Sequence, residues 1–168
     1  QGRARVPPIR IDAAHFSPDT RAFIALLADH EARYLIVGGE AVILHGHARL
    51  TGDVDFFFAN EADNVIRLFA ALSDFWDGDI PGLHDASALE PDGQVLQFGL
   101  PPNRIDLINS IDGVGFSEAW AGRVEAILVD GEREILIPYI GVEALVKNKR
   151  AAGRAKDLDD LRYLTTEP

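Results

Sequence analysis

Apolar residues along this chain fall into short separate runs, and the spacing within each run names its element. Phe23, Ile24, Leu26, Leu27 and His30 recur at helical spacing behind Ser17-Pro18-Asp19. There Ser is placed to cap a helix and Pro to fill its first position, which predicts a helix running to about Ala32. Tyr34-Leu35-Ile36-Val37 is a continuous apolar run closed by Gly38-Gly39, the pattern of a buried strand entering a tight turn. A short helix is predicted over 40–45 with Gly46 as its C-cap, then a second buried strand from Val54 to Ala59. Between Asn60 and Trp76, Val65, Ile66, Phe69, Leu72 and Phe75 form one helical stripe.

The second half has a different texture. Asp77 to Gly93 is rich in Gly, Pro and Asp and reads as an acidic, mobile loop with at most one helical turn. Val95–Leu100 and Arg104–Asn109 are predicted strands around Pro101-Pro102-Asn103, and Val124–Val129 and Arg133–Ile137 are another pair around Asp130-Gly131-Glu132. Two helices, 141–152 and 156–165, close the chain on either side of Gly153. Residues 1–12, with Pro7 and Pro8 among Arg3, Arg5 and Arg10, read as an extended arm. The sum is an α/β (α+β) fold, a mixed β-sheet flanked by helices with helices at the C-terminus.

Composition narrows the chemistry. The 168 residues suit one domain, 1–168, and 47% hydrophobic with 26% charged residues is a globular balance. Without cysteine there is no thiol nucleophile and no zinc–thiolate site, so chemistry must rest on oxygen and nitrogen. No apolar run is long enough to span a bilayer, and Gln1-Gly2-Arg3-Ala4-Arg5 lacks the apolar core of a signal peptide; a soluble, cytoplasmic protein with no membrane partner is expected. A net charge of −11 argues against broad attraction to nucleic acid. Against that background Lys147, Lys149, Arg150, Arg154 and Lys156 cluster with no acid among them, which marks the place for a phosphate group.

The chemistry-bearing feature is Thr51-Gly52-Asp53-Val54-Asp55-Phe56-Phe57-Phe58. Two carboxylates two residues apart in an apolar strand share one face, and their burial is costly unless a cation lies between them. Asp106, in Arg104-Ile105-Asp106-Leu107-Ile108, is the third candidate, again an acid interrupting an apolar strand. Three converging carboxylates suit Mg²⁺ or Mn²⁺. Gly38 and Gly39 let backbone approach a ligand closely, and the free N–H groups opening the next helix bind phosphate oxygens.

Gly-Gly, thirteen intervening residues, Asp-x-Asp on an apolar strand and a later strand Asp together resemble the nucleotidyltransferase superfamily typified by DNA polymerase β. His45-Gly46-His47-Ala48-Arg49-Leu50-Thr51, the stretch from Leu96 to Leu107, and the stretch from Lys149 to Leu158 resemble the bacterial abortive-infection (AbiEii-like) toxin group. The resemblance covers about residues 20–164 and implies a nucleotidyltransferase fold. The implied activity is transfer of a nucleoside monophosphate from an NTP, ATP among the candidates, to an acceptor that is RNA or tRNA, a protein or a small molecule. A cognate antitoxin is an implied partner. Asp53 and Asp55 would hold two metals, and Asp106 would complete the acceptor-side metal and help deprotonate the nucleophile. Gly38, Gly39, Glu40, Arg49, Thr51, Lys149 and Lys156 would bind the nucleotide. One departure is Gly39, where many superfamily members carry a serine hydroxyl.

Plainer readings stand beside these. His45 and His47 do not converge across a helix end, which favours a structural or capping role. Arg49 either faces the phosphates or pairs with nearby acids, and Arg104 is read as the salt-bridge partner of Asp106. Asp157 fits a cap or first-turn role, and Trp76 and Trp120 fit the core or its edge. The basic run 147–156 is alternatively a solvated helix face. Two further functional readings are a catalytically silent binding or regulatory member of the fold, and a metal-dependent phosphohydrolase. The latter leaves the glycine turn unexplained.

Overall fold

Thr20 N–H donates to Ser17 Oγ at 3.2 Å, so the predicted cap starts its helix where expected. The computed structural model describes residues 7–46 and 52–165. In chain order its elements are β1 (Arg10–Asp12), α1 (Pro18–Asp29), β2 (Tyr34–Val37), α2 (Gly38–Leu44), β3 (Val54–Phe58), α3 (Ala62–Phe75), β4 (Val95–Phe98), β5 (Ile105–Ile108), α4 (Phe116–Ala121), β6 (Val124–Asp130), β7 (Arg133–Tyr139), α5 (Val142–Ala152) and α6 (Ala155–Thr165). Seven strands form one mixed sheet in the order β1-β6-β7-β2-β3-β5-β4.

The phenylalanine run of β3 covers both faces at the centre of that sheet. Phe56 packs edge-on against Phe23 of α1 at 5.3 Å, and Phe57 packs against Phe116 of α4 on the other side at 5.2 Å. Both are fully buried, each stabilising the fold by about 2–3 kcal/mol in transfer free energy. Alternation along the strand puts Asp55 on the face of Phe57, away from α1.

The two halves of the sheet are joined narrowly. β2 pairs with β7 only at Ile36 and Tyr139, with Ile140 N–H donating to the Ile36 carbonyl at 3.0 Å. β2–β3 and β6–β7 are by contrast long antiparallel ladders.

Several expectations need correction. Residues 10–12 are not a free arm but β1, paired in parallel with β6; residues 1–6 lie outside the described residues. α1 stops at Asp29 because Glu31 adopts a left-handed conformation, φ 55°, that no helix continues. α2 begins at Gly38 itself, so both glycines belong to its first turn. In α3 the core stripe runs through Val65, Leu68, Ala71 and Leu72, whereas Ile66 is 62% exposed. The segment 77–93 is packed: it buries Ile80, Leu83 and Leu89, and its backbone is held by the side-chain amides of Asn60 and Asn109.

Candidate active site

Parallel pairing of β3 with β5 sets Asp55 directly opposite Asp106. The two carboxyl groups are in hydrogen-bonding contact, and Asp106 is buried. Burial first, then the charge and contact of Asp106, push the Asp55 carboxyl up to about 6, with Lys156 pulling the other way and Asp53 adding a smaller push. This is the signature of two carboxylates that must share a proton or a cation.

Gly38 abuts this pair. Its φ is 65°, and a Cβ there would come within 2.2 Å of Asp55 Oδ2, so both conformation and space require glycine. The N-cap residue of α2, Val37, supplies no side-chain cap to its opening amides. Gly52 is equally constrained, because a Cβ would strike the Pro102 carbonyl at 1.8 Å. That contact fixes the chain entering Asp53.

Arg104 stands among the three acids. Its Nε and Nη2 bond both oxygens of Asp106 at 2.7 and 2.9 Å, its backbone N–H donates to Asp53 Oδ1 at 2.9 Å, and Nη2 lies 3.6 Å from Asp53 Oδ2. The hydrogen bonds to Asp106 lead the forces that raise the Arg104 pKa. Its expected pairing with Asp106 is therefore present, and extends to Asp53. Among the described residues no group of three or more acid or histidine side chains is arranged to hold a metal ion. Asp55 faces Asp106, while Asp53 turns to Arg104. The donor chemistry of Asp55 and Asp106 nonetheless fits a hard divalent cation, since their close carboxyl oxygens repel one another and Asp55 resists ionising without one.

A cleft of about 280 Å³ opens beside Asp55, lined also by Gly38, by Ser110 and Asp112 beyond the end of β5, and by Lys149 and Arg154; Asp53, Arg104 and Asp106 are not in its lining. Lys149 reaches it with its ammonium already committed: Nζ lies 3.1 Å from Asp157 Oδ1 and 3.2 Å from Asp160 Oδ2, and the side chain is 4% exposed. Asp157 accepts from the Arg154 backbone N–H at 3.1 Å and from Arg154 Nε at 2.7 Å, the first-turn role expected for it on α6. Burial works to raise its pKa, but these donors and Lys149 prevail and lower it. Lys156 is exposed, and its charge reaches Asp55. The basic run is thus neither wholly a solvated face nor wholly a phosphate grip.

Glu40 is elsewhere. It is 4% exposed, its Oε1 meets His15 Nε2 at 2.7 Å and the Tyr139 hydroxyl at 3.1 Å, and it lines a separate small pocket beside Gly52 and Asn103. Glu40 is not in the lining of the cleft at Asp55 and ties α2 to β7 instead. His45 contacts the Ile140 carbonyl at 2.8 Å, a structural role as expected. Arg49, Thr51 and His47 lie outside the described residues.

Ser110, Asp112 and Asn148 escaped the sequence reading. The available signal was turn chemistry in Asn109-Ser110-Ile111-Asp112-Gly113, just past the strand that carries Asp106. A larger cleft of about 660 Å³, between His45, Glu118 and Lys147, contains none of the three aspartates.

The mixed sheet, its helices and the facing acids above a glycine turn define a nucleotidyltransferase-type α/β fold. Residues 19–165 match the family model described as "Nucleotidyltransferase of unknown function (DUF6036)", and the chain belongs to that family. A search of curated proteins finds no match. Among the described residues no helix is long and apolar enough to cross a membrane.

Proposed function

We propose that this protein transfers a nucleoside monophosphate from an NTP to an acceptor hydroxyl, with Mg²⁺ or Mn²⁺ as cofactor. The observation that carries this reading is the register pairing of Asp55 with Asp106 beside the Gly38 turn. Asp55 and Asp106 would hold the cation, joined by Asp53 only on release from Arg104; when bound it stabilises charge on the attacking and leaving oxygens. The amides of the Gly38-Gly39 turn hold β- and γ-phosphate oxygens, and Lys156, exposed and within reach of Asp55, offsets their charge, whereas Lys149 and Arg154 are already paired with Asp157 and Asp160. Asp106 accepts the proton of the acceptor hydroxyl as that oxygen bonds the α-phosphorus. The bond to the bridging oxygen breaks, and pyrophosphate leaves with the electron pair. For Asp106 to act, Arg104 must yield one of its two hydrogen bonds.

The AbiEii-like resemblance extends the reading to a toxin of a toxin–antitoxin or abortive-infection system working in the cytoplasm, with a cognate antitoxin as partner. ATP is the first NTP to test, and RNA, tRNA, protein and small molecules are the acceptor classes.

The test is incubation with each labelled NTP, Mg²⁺ and either total RNA or cell extract, alongside Asp53→Ala. Label transfer by the wild type and its loss in the variant are expected; equal labelling would sink the assignment. The second reading, a silent binding or regulatory member of the fold, is favoured by the bidentate hold of Arg104 on Asp106. Nucleotide binding without transfer to any acceptor would select it.

A further inference from the structure

The end of the cleft away from Gly38 is built as carefully as the end near it. Past β5 the chain turns through Ser110–Val114, and three separate contacts hold that turn in place. Ile111 and Val114 form an antiparallel bridge. Asn148 of α5 donates its Nδ2–H to the Asp112 carbonyl at 2.9 Å. Gly113, at φ 76°, lies so close to α5 that a Cβ would come within 2.6 Å of the Ala151 Cβ. The backbone of Asp112 is thereby fixed, while the residue stays exposed on the cleft wall.

An acid in a cleft that takes a triphosphate needs an explanation. Two like charges 4 Å apart repel by about 4 kcal/mol at an effective dielectric constant of 20, so phosphates will not settle beside Asp112. The cations stand on the α5–α6 side, where Arg154 is held first by Asp157 and reached more weakly by the charges of Asp112 and Asp55. From Asp106 to the turn past β5 is roughly 10 Å at the rise of a strand, enough to separate a triphosphate from the sugar and base attached to it.

We propose that Asp112 is a specificity-determining residue that reads the nucleoside. Its carboxylate accepts a hydrogen bond from a donor on the ribose or the base, and so orients the nucleotide with its phosphates toward Gly38. The inference rests on the nucleotide reading given above. An ionised carboxylate is an acceptor only, and a site built around such an acceptor discriminates strongly against analogues that lack the matching donor.

Calorimetric titration of the full chain in Mg²⁺ tests it, comparing wild type with Asp112→Ala and Asp112→Asn. The probes are the four NTPs, inorganic tripolyphosphate, and the 2′-deoxy and 3′-deoxy forms of the tightest-binding NTP. Asp112→Ala is expected to weaken that NTP by about tenfold, the scale of a hydrogen bond to a charged group. Asp112→Asn, which keeps an acceptor oxygen, restores part of the loss, and tripolyphosphate binds unchanged or tighter. If a deoxy analogue binds weakly and ignores Asp112→Ala, the donor is the missing hydroxyl; if both analogues keep the full effect, the donor is on the base. Unchanged NTP affinity in Asp112→Ala, or a loss shared equally by tripolyphosphate, overturns the role of Asp112. Failure of the wild type to bind any NTP or tripolyphosphate overturns the nucleotide reading itself.

Discussion

Two clusters of buried charge lie a short way apart in this molecule, and they treat the same residue type in opposite ways. At Asp55 and Asp106, carboxyl faces carboxyl across two strands, and Asp55 is pushed up to about 6. At Asp157, two cationic side chains and a backbone amide converge on the carboxylate, and its pKa is lowered despite burial. The second cluster pairs acids with cations and joins α5 to α6. The first is held together under tension, and tension of this kind is relieved by binding something positive.

The contrast is broken or sharpened by a series of measurements, taken from the largest effect down. Lys149→Met leaves Asp157 and Asp160 buried without their ammonium partner, and a loss of about 3–5 kcal/mol is expected in denaturant unfolding. A loss below 1 kcal/mol would mean the cluster is not structural. Asp55→Asn should do the reverse and stabilise the metal-free protein at pH 7 by about 2–3 kcal/mol, from a carboxyl raised to about 6 against an unfolded value of 3.8. The sign follows from proton binding. Between about pH 4 and 6 the native state holds the proton more tightly, so this group's stabilisation is complete below that window and lost as pH rises through it. Urea midpoints at pH 4.5, 5.5 and 7 should show that fall in the wild type and a flatter course in Asp55→Asn.

Millimolar Mg²⁺ is next, expected to raise wild-type stability at pH 7 by about 1.4 kcal/mol if the ion is near tenfold above its dissociation constant. Chelation should reverse the gain, and Asp55→Asn should show little of it. An equal gain in both proteins would point to a cation site elsewhere. His15→Ala is the smallest, about 1 kcal/mol or less, because His15 is exposed and Glu40 keeps the Tyr139 hydroxyl. A cost matching that of Lys149→Met would make the anchor at Glu40 as important as the α5–α6 cluster.

The site was legible in sequence where polarity contradicted its surroundings. Asp55 and Asp106 interrupt apolar strands, and only a partner across the sheet explains that; their pairing is the register of β3 and β5. What stayed hidden has physical reasons. β1 is three residues and α4 six, too short for any period to emerge. The Lys149 triad pairs residues eight and eleven apart through a helix reversal at Gly153, so no helix-face rule links them, and the run reads as a place for phosphate or, alternatively, as a solvated helix face. Glu40 sits beside two glycines in sequence, yet its carboxylate turns away from them, a direction set by Tyr139 from ninety-nine residues on.

The narrow joint at Ile36 and Tyr139 has a mechanical meaning. Ladders on either side make two plates, joined by a single register pair and by the Glu40–Tyr139 and His45–Ile140 contacts beside it. Gly38, Asp55 and Asp106 ride on one plate, while α5 leaves the other directly after β7. The cleft therefore spans that seam, and the Asn148–Asp112 hydrogen bond ties α5 to the turn that follows β5.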